Sequence, residues 1–383
     1  MAPRVMRESG RPRFLKECSG ACGDLGTFIP HAIGAMVVAG LAPAGVLFGF
    51  AVSLIATGLF YGLPIPVQPM KAVSAVILTD GLRAGEVAGA GLMLGVVLVS
   101  LGATGAIGRV ARLIPQSVSA GLQLGLSLLM GVLGIGLMLK TPWLGLGSLA
   151  LLLMLMRIPR CPAAPLMLLA AIVAGASTQA VTLPETLTGA WHLPELVLPN
   201  WSELWRGLEL AVVPQLPLTL TNAVIVTASL SRDLFPGQAS RASERNLALS
   251  SGVANLLLAP FGAMPMCHGA GGLQAQYRFG ARTGLAPILF GSVLLVLALG
   301  CADMAAQLFA VVPIGAVGAL LVMAGTDLAL SRRLFDGRPS CWPVIGVTAL
   351  VTLLLNPALA LAAGWVGELI RAAVVRRVRR RYS

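Results

Sequence analysis

The chain has 383 residues, of which 57% are apolar and 11% are charged, and its mean hydropathy is +0.87. Soluble domains are usually about 45–50% apolar and about 25% charged, so this composition excludes a water-soluble protein. The net charge of +12 is concentrated in short basic clusters between apolar runs and at both termini, which is typical of membrane topology and excludes a nucleic-acid-binding surface.

Apolar segments follow one another along almost the whole chain, and Gly, Pro and basic residues separate them. Because a membrane span needs about 20 residues, this pattern predicts fourteen transmembrane segments, several of them short. They lie at 20–40, 43–61, 67–80, 85–107, 115–139, 142–156, 163–182, 207–230, 246–260, 269–280, 284–302, 307–330, 341–355 and 357–374. We interpret the first segment as a retained helix and not as a secretory signal, because no small-residue cleavage site is obvious.

The Lys and Arg residues are distributed unequally between the two sides that these segments define. Of the 27, 23 fall on the side of the termini, one lies within a span, and only Arg83, Lys140 and Arg206 fall on the other side. The longest loop on that other side, 183–206, carries glutamates. By the positive-inside rule, both termini are predicted to be cytoplasmic.

The two halves of the chain carry matching landmarks about 200 residues apart. The stretch Tyr61–Pro66 has its counterpart in Phe261–Met266, and the helix-opening Pro115 has its counterpart in Pro313. Each half holds seven predicted spans, and since seven is odd, the second half enters the membrane from the opposite face. The sequence therefore predicts an all-α polytopic membrane protein built as a seven-plus-seven inverted repeat. Its predicted parts are a first repeat at 1–182, a connecting loop at 183–206 and a second repeat at 207–383.

Each half also contains a short segment whose helix is interrupted before it begins. In the first half, Pro64, Pro66 and Pro69 prevent a continuous helix, because proline lacks an amide hydrogen and restrains the residue before it. Glycines take this role in the second half, after Pro265. Unpaired backbone groups inside a membrane are tolerated only when they line a polar cavity or pair with protein. We therefore expect two half-helices, each preceded by a short extended stretch, whose N-termini face each other and offer free amides to a cavity.

The charge of this cavity predicts an anionic ligand. Each helix N-terminus acts as about half a positive charge, so two of them and Lys71 supply about +2, which balances a tetrahedral dianion. Lys71 has two other interpretations: it snorkels from a short helix, or it pairs with an acid such as Asp80. Gln68, which lies close to it in sequence, is a neutral donor to the ligand.

Cys267 and His268 precede the second half-helix, and a metal site is disfavoured there because adjacent side chains diverge and no further ligand is near in sequence. His268 is instead expected to donate to the ligand or to cap the helix. Cys18 and Cys22 lack a second pair, so no metal or cofactor is expected. Phosphate-binding and catalytic motifs are missing, which excludes an enzyme and leaves an ion gradient or the substrate's own gradient as driving force.

Two polar clusters mark the starts of the first and eighth spans. The first holds Asp24 and Thr27, and the second holds Gln215, Thr219 and Asn222. Their polar groups either satisfy carbonyls that nearby prolines leave free or line the cavity. Asp24 is the candidate for ion coupling, with a helix N-cap as the alternative.

Four motifs together carry a family resemblance. At Gly23–Phe28, Tyr61–Lys71, Gln215–Thr219 with Asn222, and Phe261–Gly272, the chain closely resembles the molybdate transporter type 1 family, which is related to the SulP anion transporters. The resemblance implies the fold shared by SulP and nucleobase transporters, with a core domain of spans 1–4 and 8–11 and a gate domain of spans 5–7 and 12–14. It also implies molybdate or sulfate as substrate. Because the chain ends soon after its last predicted span, no cytoplasmic STAS domain is expected.

Motifs and resemblance together predict a secondary transporter of a tetrahedral oxyanion in the bacterial inner membrane, working by an elevator-type mechanism. Molybdate is favoured, with sulfate and tungstate as alternatives, and an anion channel, a membrane sensor or a nucleobase transporter of this fold is the competing function. The nucleobase branch is disfavoured because Gln215 and His268 stand where it is expected to use a carboxylate. The expected partners are the oxyanion and the lipid bilayer, a homodimer is left open, and no nucleic acid is expected. The predicted substrate-binding residues are Thr27, Phe28, Gln68, Pro69, Met70, Lys71, Gln215, Thr219, Asn222, Cys267, His268, Gly269, Ala270 and Gly271.

Overall fold

The structure, a computed structural model, describes residues 13–158, 161–178, 193–300, 307, 311–330 and 338–382. Over these residues the chain is almost entirely helical. The first half forms α1 (Arg13–Cys22), α2 (Leu25–Val37), α3 (Pro43–Tyr61), strand β1 (Val67–Pro69), α4 (Lys71–Asp80), α5 (Ala84–Thr104), α6 (Ile107–Leu113), α7 (Gln116–Met138), α8 (Pro142–Met156) and α9 (Ala163–Ser177). The second half forms α10 (Trp201–Leu234), α11 (Glu244–Leu258), strand β2 (Met266–His268), α12 (Ala270–Phe279), α13 (Leu285–Gly300), α14 (Ile314–Ala329), α15 (Trp342–Leu354) and α16 (Pro357–Tyr382).

Among the described residues, five helices are long and apolar enough to cross a membrane: α3, α5, α7, α10 and the part of α16 at Pro357–Arg377. Six further apolar helices have 10–17 residues. Helix length therefore supports a membrane protein with many crossings but does not by itself establish the predicted count of fourteen. The two segments predicted to be interrupted each form a ten-residue helix preceded by a three-residue strand.

The interrupted regions of the two halves share one backbone design. Gly62 ends the helix before β1 with φ of 64°, and Gly262, 200 residues later, ends a helical turn before β2 with φ of 74°. Each half-helix also stops at a glycine of positive φ, Gly81 after α4 and Gly280 after α12. A left-handed backbone costs other residues about 1–2 kcal/mol, which glycine avoids. The matched landmarks in the sequence therefore correspond to matched local structure.

The two strands pair with each other, and they run antiparallel. Val67 lies opposite His268, and Gln68 lies opposite Cys267. The amide of Met70 extends the pairing by donating to the carbonyl of Pro265 at 2.9 Å. Asn255 satisfies the other edge of β2, because its side chain bonds both the amide and the carbonyl of Met266, at 3.0 and 2.7 Å. Buried extended backbone is thus paired within the protein, as a membrane interior requires.

The long helices pack in a pattern that relates the halves. Helix α3 packs on α13 and α5 packs on α11, whereas α7 packs on α14 and α15, and α14 also contacts α8. Where α7 crosses α14, a Cβ on Gly134 would lie 2.7 Å from the carbonyl oxygen of Gly318, and one on Gly318 would lie 2.5 Å from that of Gly134. Small residues at such crossings let helices approach closely in a membrane.

The eighth predicted span differs from its expected start at residue 207. Helix α10 begins at Trp201 because Asn200 and Glu203 form a reciprocal cap, with hydrogen bonds of 3.0 and 2.8 Å. The helix continues past Pro214 and Pro217 through two wider π-helical turns, Leu208–Val212 and Thr219–Val226. Because proline has no amide hydrogen, it cannot donate the usual helical hydrogen bond, and the wider turns let the helix continue past this gap.

Candidate functional site

The strand pair brings the N-terminal ends of α4 and α12 to one cavity of about 430 Å³. Side chains from α7, α10 and α14 complete its wall. Ten of the fourteen predicted binding residues line it: Gln68, Pro69, Lys71, Gln215, Asn222, Cys267, His268, Gly269, Ala270 and Gly271. The sequence did not single out seven further lining residues: Gln123, Leu218, Ala223, Val226, Gln274, Asp327 and Leu328.

The four remaining predicted residues do not line this cavity. Phe28 is buried in the apolar core, where its ring packs edge-to-face at 5.0 Å from Phe50 and 5.2 Å from Phe290. Met70 is fully buried, and Thr27 is half-buried on α2. Thr219 is also buried, and its hydroxyl accepts a hydrogen bond of 2.8 Å from the side-chain nitrogen of Gln215. Thr219 therefore orients a cavity residue without facing the cavity.

The side chain of Gln215, which is on α10, caps the N-terminus of the first half-helix, α4. Its side-chain oxygen accepts from the amide of Ala72 at 2.9 Å and from the amide of Val73 at 3.3 Å. The expectation that α4 offers these amides to a ligand is therefore wrong. A neutral side chain from the second half caps them instead, because a buried amide without a partner costs about 1–3 kcal/mol.

The second half-helix is left open where the first is capped. The amides of Ala270, Gly271 and Gly272 have no acceptor within the described part of the chain. Gly272 packs tightly, since a Cβ there would lie 2.5 Å from Oδ1 of Asp24. An uncapped N-terminus with almost no side chains allows an anion to approach the backbone closely. Backbone amides without a described acceptor, the kind that suits an anion, are therefore at α12 and not at Ala72 and Val73 of α4.

Lys71 and Asp327 bring opposite charges to the cavity. Lys71 makes no hydrogen bond, and no ion pair within 4.0 Å, with any residue that the structure describes. Its strongest electrostatic attraction is to the carboxylate of Asp327 on α14. Asp80, the alternative partner, lies at the opposite end of α4, about 14 Å along the helix axis. There Asp80 accepts a hydrogen bond from Thr79. The ammonium group is thus free to meet a ligand.

His268 has both ring nitrogens engaged inside the protein. Nδ1 lies 3.0 Å from the carbonyl oxygen of Pro66, and Nε2 lies 2.7 Å from the hydroxyl of Ser250. A carbonyl can only accept, so Nδ1 donates and the neutral ring accepts at Nε2 from Ser250. The Ser250 oxygen in turn lies 2.7 Å from the hydroxyl of Tyr61. This chain leaves His268 no free donor in the described arrangement, and it ties the two strands together.

Asp24 is completely buried beside the two strands. One carboxylate oxygen accepts a hydrogen bond from the side chain of Gln68, and the other, Oδ2, has no partner among the described residues. Although Asp24 precedes α2, its side chain does not cap that helix. His31 on α2 is also buried, and its Nδ1 lies 2.8 Å from the hydroxyl oxygen of Ser74.

Of the cavity residues that the sequence did not single out, Asp327 had the clearest signal. An ionisable residue within a predicted span marks a functional position by default. Gln123 and Gln274 are polar residues within apolar segments, and Gln123 donates to the carbonyl of Leu328 at 2.7 Å. Their place at the cavity depends on how α7 and α12 are turned, which no local motif reports.

Known proteins are similar to this chain over most of its length. A family model described as "Molybdate transporter of MFS superfamily" matches residues 16–130 and 208–328. Molybdate transporter 2 of Arabidopsis thaliana is 32% identical over 83% of this chain and 78% of its own length. Molybdate transporter 1 of the same plant is 30% identical over 91% of this chain and 86% of its own length.

A solved structure shares the fold. The transmembrane domain of the cyanobacterium bicarbonate transporter BicA superposes with a TM-score of 0.71 at 17% identity. The match covers 93% of this chain and 98% of that domain. At this level of identity the similarity reports the membrane-transporter fold and not the substrate.

Proposed function

Because the chain belongs to the molybdate transporter family, as its family-model match and its relatives establish, we propose that it carries a tetrahedral oxyanion, molybdate in preference to sulfate or tungstate. The chain is a multi-pass membrane transporter of anions and not an enzyme. The observation that carries the substrate class is the open N-terminus of α12 facing the same cavity as the free ammonium group of Lys71.

The balance of charge around the cavity favours an anion. Lys71 contributes one positive charge and the open helix end about half a charge more, while the capped end of α4 contributes less than the sequence suggests. The carboxylates of Asp327 and Asp24 oppose these charges. The net field is therefore weaker than +2, and a ligand must supply strong hydrogen-bond acceptors as well as charge. Four oxygen atoms on a tetrahedral ion supply them in several directions.

The donors around the cavity match such an ion. The amides of Ala270 and Gly271 face it from one side, and Lys71 faces it from the other half-helix. The side-chain amide groups of Gln68, Asn222 and Gln274 add neutral donors. Four predicted residues do not line the cavity and support the proposed site only from behind its lining: Thr27, Phe28, Met70 and Thr219.

We extend the proposal to the mechanism and topology. Matched glycine ends, an antiparallel strand pair and matched helix packing support a seven-plus-seven inverted repeat of fourteen spans with repeats at 1–182 and 207–383. Spans 1–4 and 8–11 would form a core that moves as an elevator against a gate of spans 5–7 and 12–14. Asp24 is the proposed ion-coupling group, because a buried carboxylate oxygen without a partner is suited to binding a proton or cation. Cytoplasmic termini in a bacterial inner membrane complete the proposal.

Transport by purified protein in liposomes tests the function. We expect saturable uptake of radioactive molybdate and counterflow, in which internal unlabelled molybdate accelerates entry of the label. Tungstate and sulfate are then compared as competitors at equal concentration, which ranks the three dianions. An ionic current without counterflow would identify a channel, and absence of molybdate uptake with preserved sulfate uptake would assign sulfate as the substrate.

A further inference from the structure

A second cavity, of about 280 Å³, lies between α3 and α11. Its floor is the strand pair, so the strands separate it from the cavity of about 430 Å³ at the ends of α4 and α12. Val67 lines the second cavity whereas Gln68 lines the first, as expected for successive side chains on opposite faces of a strand. Cys267 and His268 border both. We call this second cavity, between α3 and α11, the crevice.

The rim of the crevice is apolar and open. Phe60 is 47% exposed, Val253 44% and Leu257 64%. These side chains belong to α3, which is long and apolar enough to span a membrane, and to its neighbour α11. Open apolar surface on such helices faces lipid hydrocarbon. The apolar rim of the crevice is therefore suited to a lipid acyl chain.

Two hydroxyl groups inside the crevice have no hydrogen-bond partner in the part of the chain that the structure describes. The side chains of Ser53 and Ser251 are 6% and 3% exposed, and both line the crevice. Neither hydroxyl oxygen finds a hydrogen-bond partner among the described residues. A buried hydroxyl that lacks a partner costs about 1–3 kcal/mol. A ligand with a polar group near its tail, such as an ester, removes this cost.

One end of the crevice carries a fixed positive charge. Arg241 donates from Nη1 to the carbonyl of Phe60 at 2.9 Å, and its guanidinium lies 5.9 Å from the centre of the Phe60 ring. Arg241 is exposed, and it follows α10 in a loop predicted to face the cytoplasm. Its remaining donors point to no described acceptor. Arginine at the membrane surface recognises phosphate groups of anionic lipids.

We propose that the crevice binds one anionic phospholipid, with an acyl chain along α3 and α11, an ester near Ser53 and Ser251, and the phosphate at Arg241. The lipid would then touch the protein next to the hydrogen-bond chain from Tyr61 through Ser250 to His268. Because that chain ends on the strand pair, lipid binding stabilises the strands that position both half-helices.

The test uses the purified full-length protein in detergent with two phospholipids that carry the same photoreactive diazirine in one acyl chain. One has a phosphatidylglycerol head group, and the other has phosphatidylcholine. After irradiation and digestion, mass spectrometry locates the labelled peptides. We expect phosphatidylglycerol to label α3 and α11 at the crevice several-fold more than phosphatidylcholine does.

Matched variants distinguish the crevice from general lipid contact. Ala254→Trp and Ala56→Trp each fill the crevice and should reduce its labelling several-fold. Val293→Trp, at a site 58% exposed on α13, should leave the labelling unchanged. Arg241→Gln should reduce phosphatidylglycerol labelling to the phosphatidylcholine level.

Three results would overturn the proposal. They are unchanged labelling in both tryptophan variants that fill the crevice, equal labelling by the two lipids in the unmodified protein, and a Val253→Cys variant that forms a disulfide-linked dimer in place of lipid labelling. The last result would assign the crevice to a second copy of the chain. Size-exclusion profiles that match the unmodified protein establish that each variant is folded. None of these readouts depends on the transported anion.

Discussion

The side-chain oxygen of Gln215 accepts a hydrogen bond from the backbone amide of Ala72 at 2.9 Å. This contact joins a helix of the second half to the half-helix of the first, and it makes the two half-helices unequal. The second half-helix keeps an open end, which is the kind of helix end that favours an anion. A site built from two sequence repeats is thus asymmetric, with one helix end held by protein and the other available to the ligand.

Two substitutions of Gln215 separate its capping role from the effect of a negative charge at this position. Gln215→Ala leaves the amides of Ala72 and Val73 without an acceptor, so it should lower the melting temperature in detergent, because an unpaired buried amide costs about 1–3 kcal/mol. Gln215→Glu keeps an acceptor but adds a negative charge beside the ligand. This variant should remain folded and lose anion affinity. A normal melting temperature for the alanine variant would contradict the capping role.

Lys71 should discriminate between ligands by their charge. At about 5 Å and an effective dielectric constant near 20, one unit charge attracts another by about 3 kcal/mol, and a dianion by about twice that. Lys71→Gln should therefore weaken binding of molybdate far more than binding of a monoanion such as nitrate or perrhenate, as measured by calorimetry. Lys71→Arg, which retains the charge, is the control. Equal losses for mono- and dianions would indicate that Lys71 acts in packing.

Local features of the sequence predicted much of this site. Proline and glycine patterns around Pro66 and Gly269 determine where the helices are interrupted, because these residues restrict or free the backbone whatever surrounds them. Polar residues next to prolines, such as Gln68 before Pro69 and Gln215 after Pro214, have few other roles within a membrane.

The contacts that distinguish the two half-helices were beyond local reasoning. Gln215 lies 143 positions from Ala72, and no periodicity reports that its oxygen reaches that amide. The same limit applies to His268, whose nearest hydrogen-bond partners come from Pro66 and Ser250. Its predicted role as a donor depended on ring nitrogens that tertiary packing occupies.

Asp327 should oppose anion binding. Its carboxylate lines the cavity with Lys71 and attracts that ammonium group. Asp327→Asn removes a repulsion toward the ligand and a competitor for Lys71, so the Kd for molybdate should fall by about tenfold, corresponding to about 1.4 kcal/mol. Asp80→Asn, at the far end of α4, should leave the Kd unchanged. Weaker binding in Asp327→Asn would show that this acid supports the site instead, for example by orienting Lys71.

Gln68 and His268 should affect binding by different routes. Gln68→Ala removes a donor in the cavity, and losing a hydrogen bond to a charged group costs about 1.5–3 kcal/mol, or roughly ten- to a hundredfold in Kd. His268→Ala leaves the Pro66 carbonyl without its bond and breaks the link through Ser250. It should therefore lower both the melting temperature and the affinity. Ser250→Ala serves as a comparison, since it breaks only the link. Unchanged affinity in Gln68→Ala and His268→Ala would remove both from the site.

The topology makes the sharpest prediction about the mechanism. Glu195 and Ser240 are exposed residues on the two sides of α10, a helix of 34 residues that is long and apolar enough to cross a membrane once. We start from a variant in which all six native cysteines are replaced. Glu195→Cys should then react with an impermeant thiol reagent added outside intact cells. Ser240→Cys should react only after the membrane is opened.

The same pair of cysteines tests the inverted repeat. If the first repeat has seven spans, the chain crosses the membrane seven times before Glu195 and eight times before Ser240. Because seven is odd, the second repeat has the opposite orientation. Labelling of both cysteines from one side would mean that α10 does not cross the membrane. The halves would then not be inverted copies, and the antiparallel pairing of Val67 with His268 could not arise from that symmetry. The proposed elevator, in which a core built from both repeats moves past a gate built from both repeats, would then lose its structural basis. The proposed anion site at α12 would be unaffected.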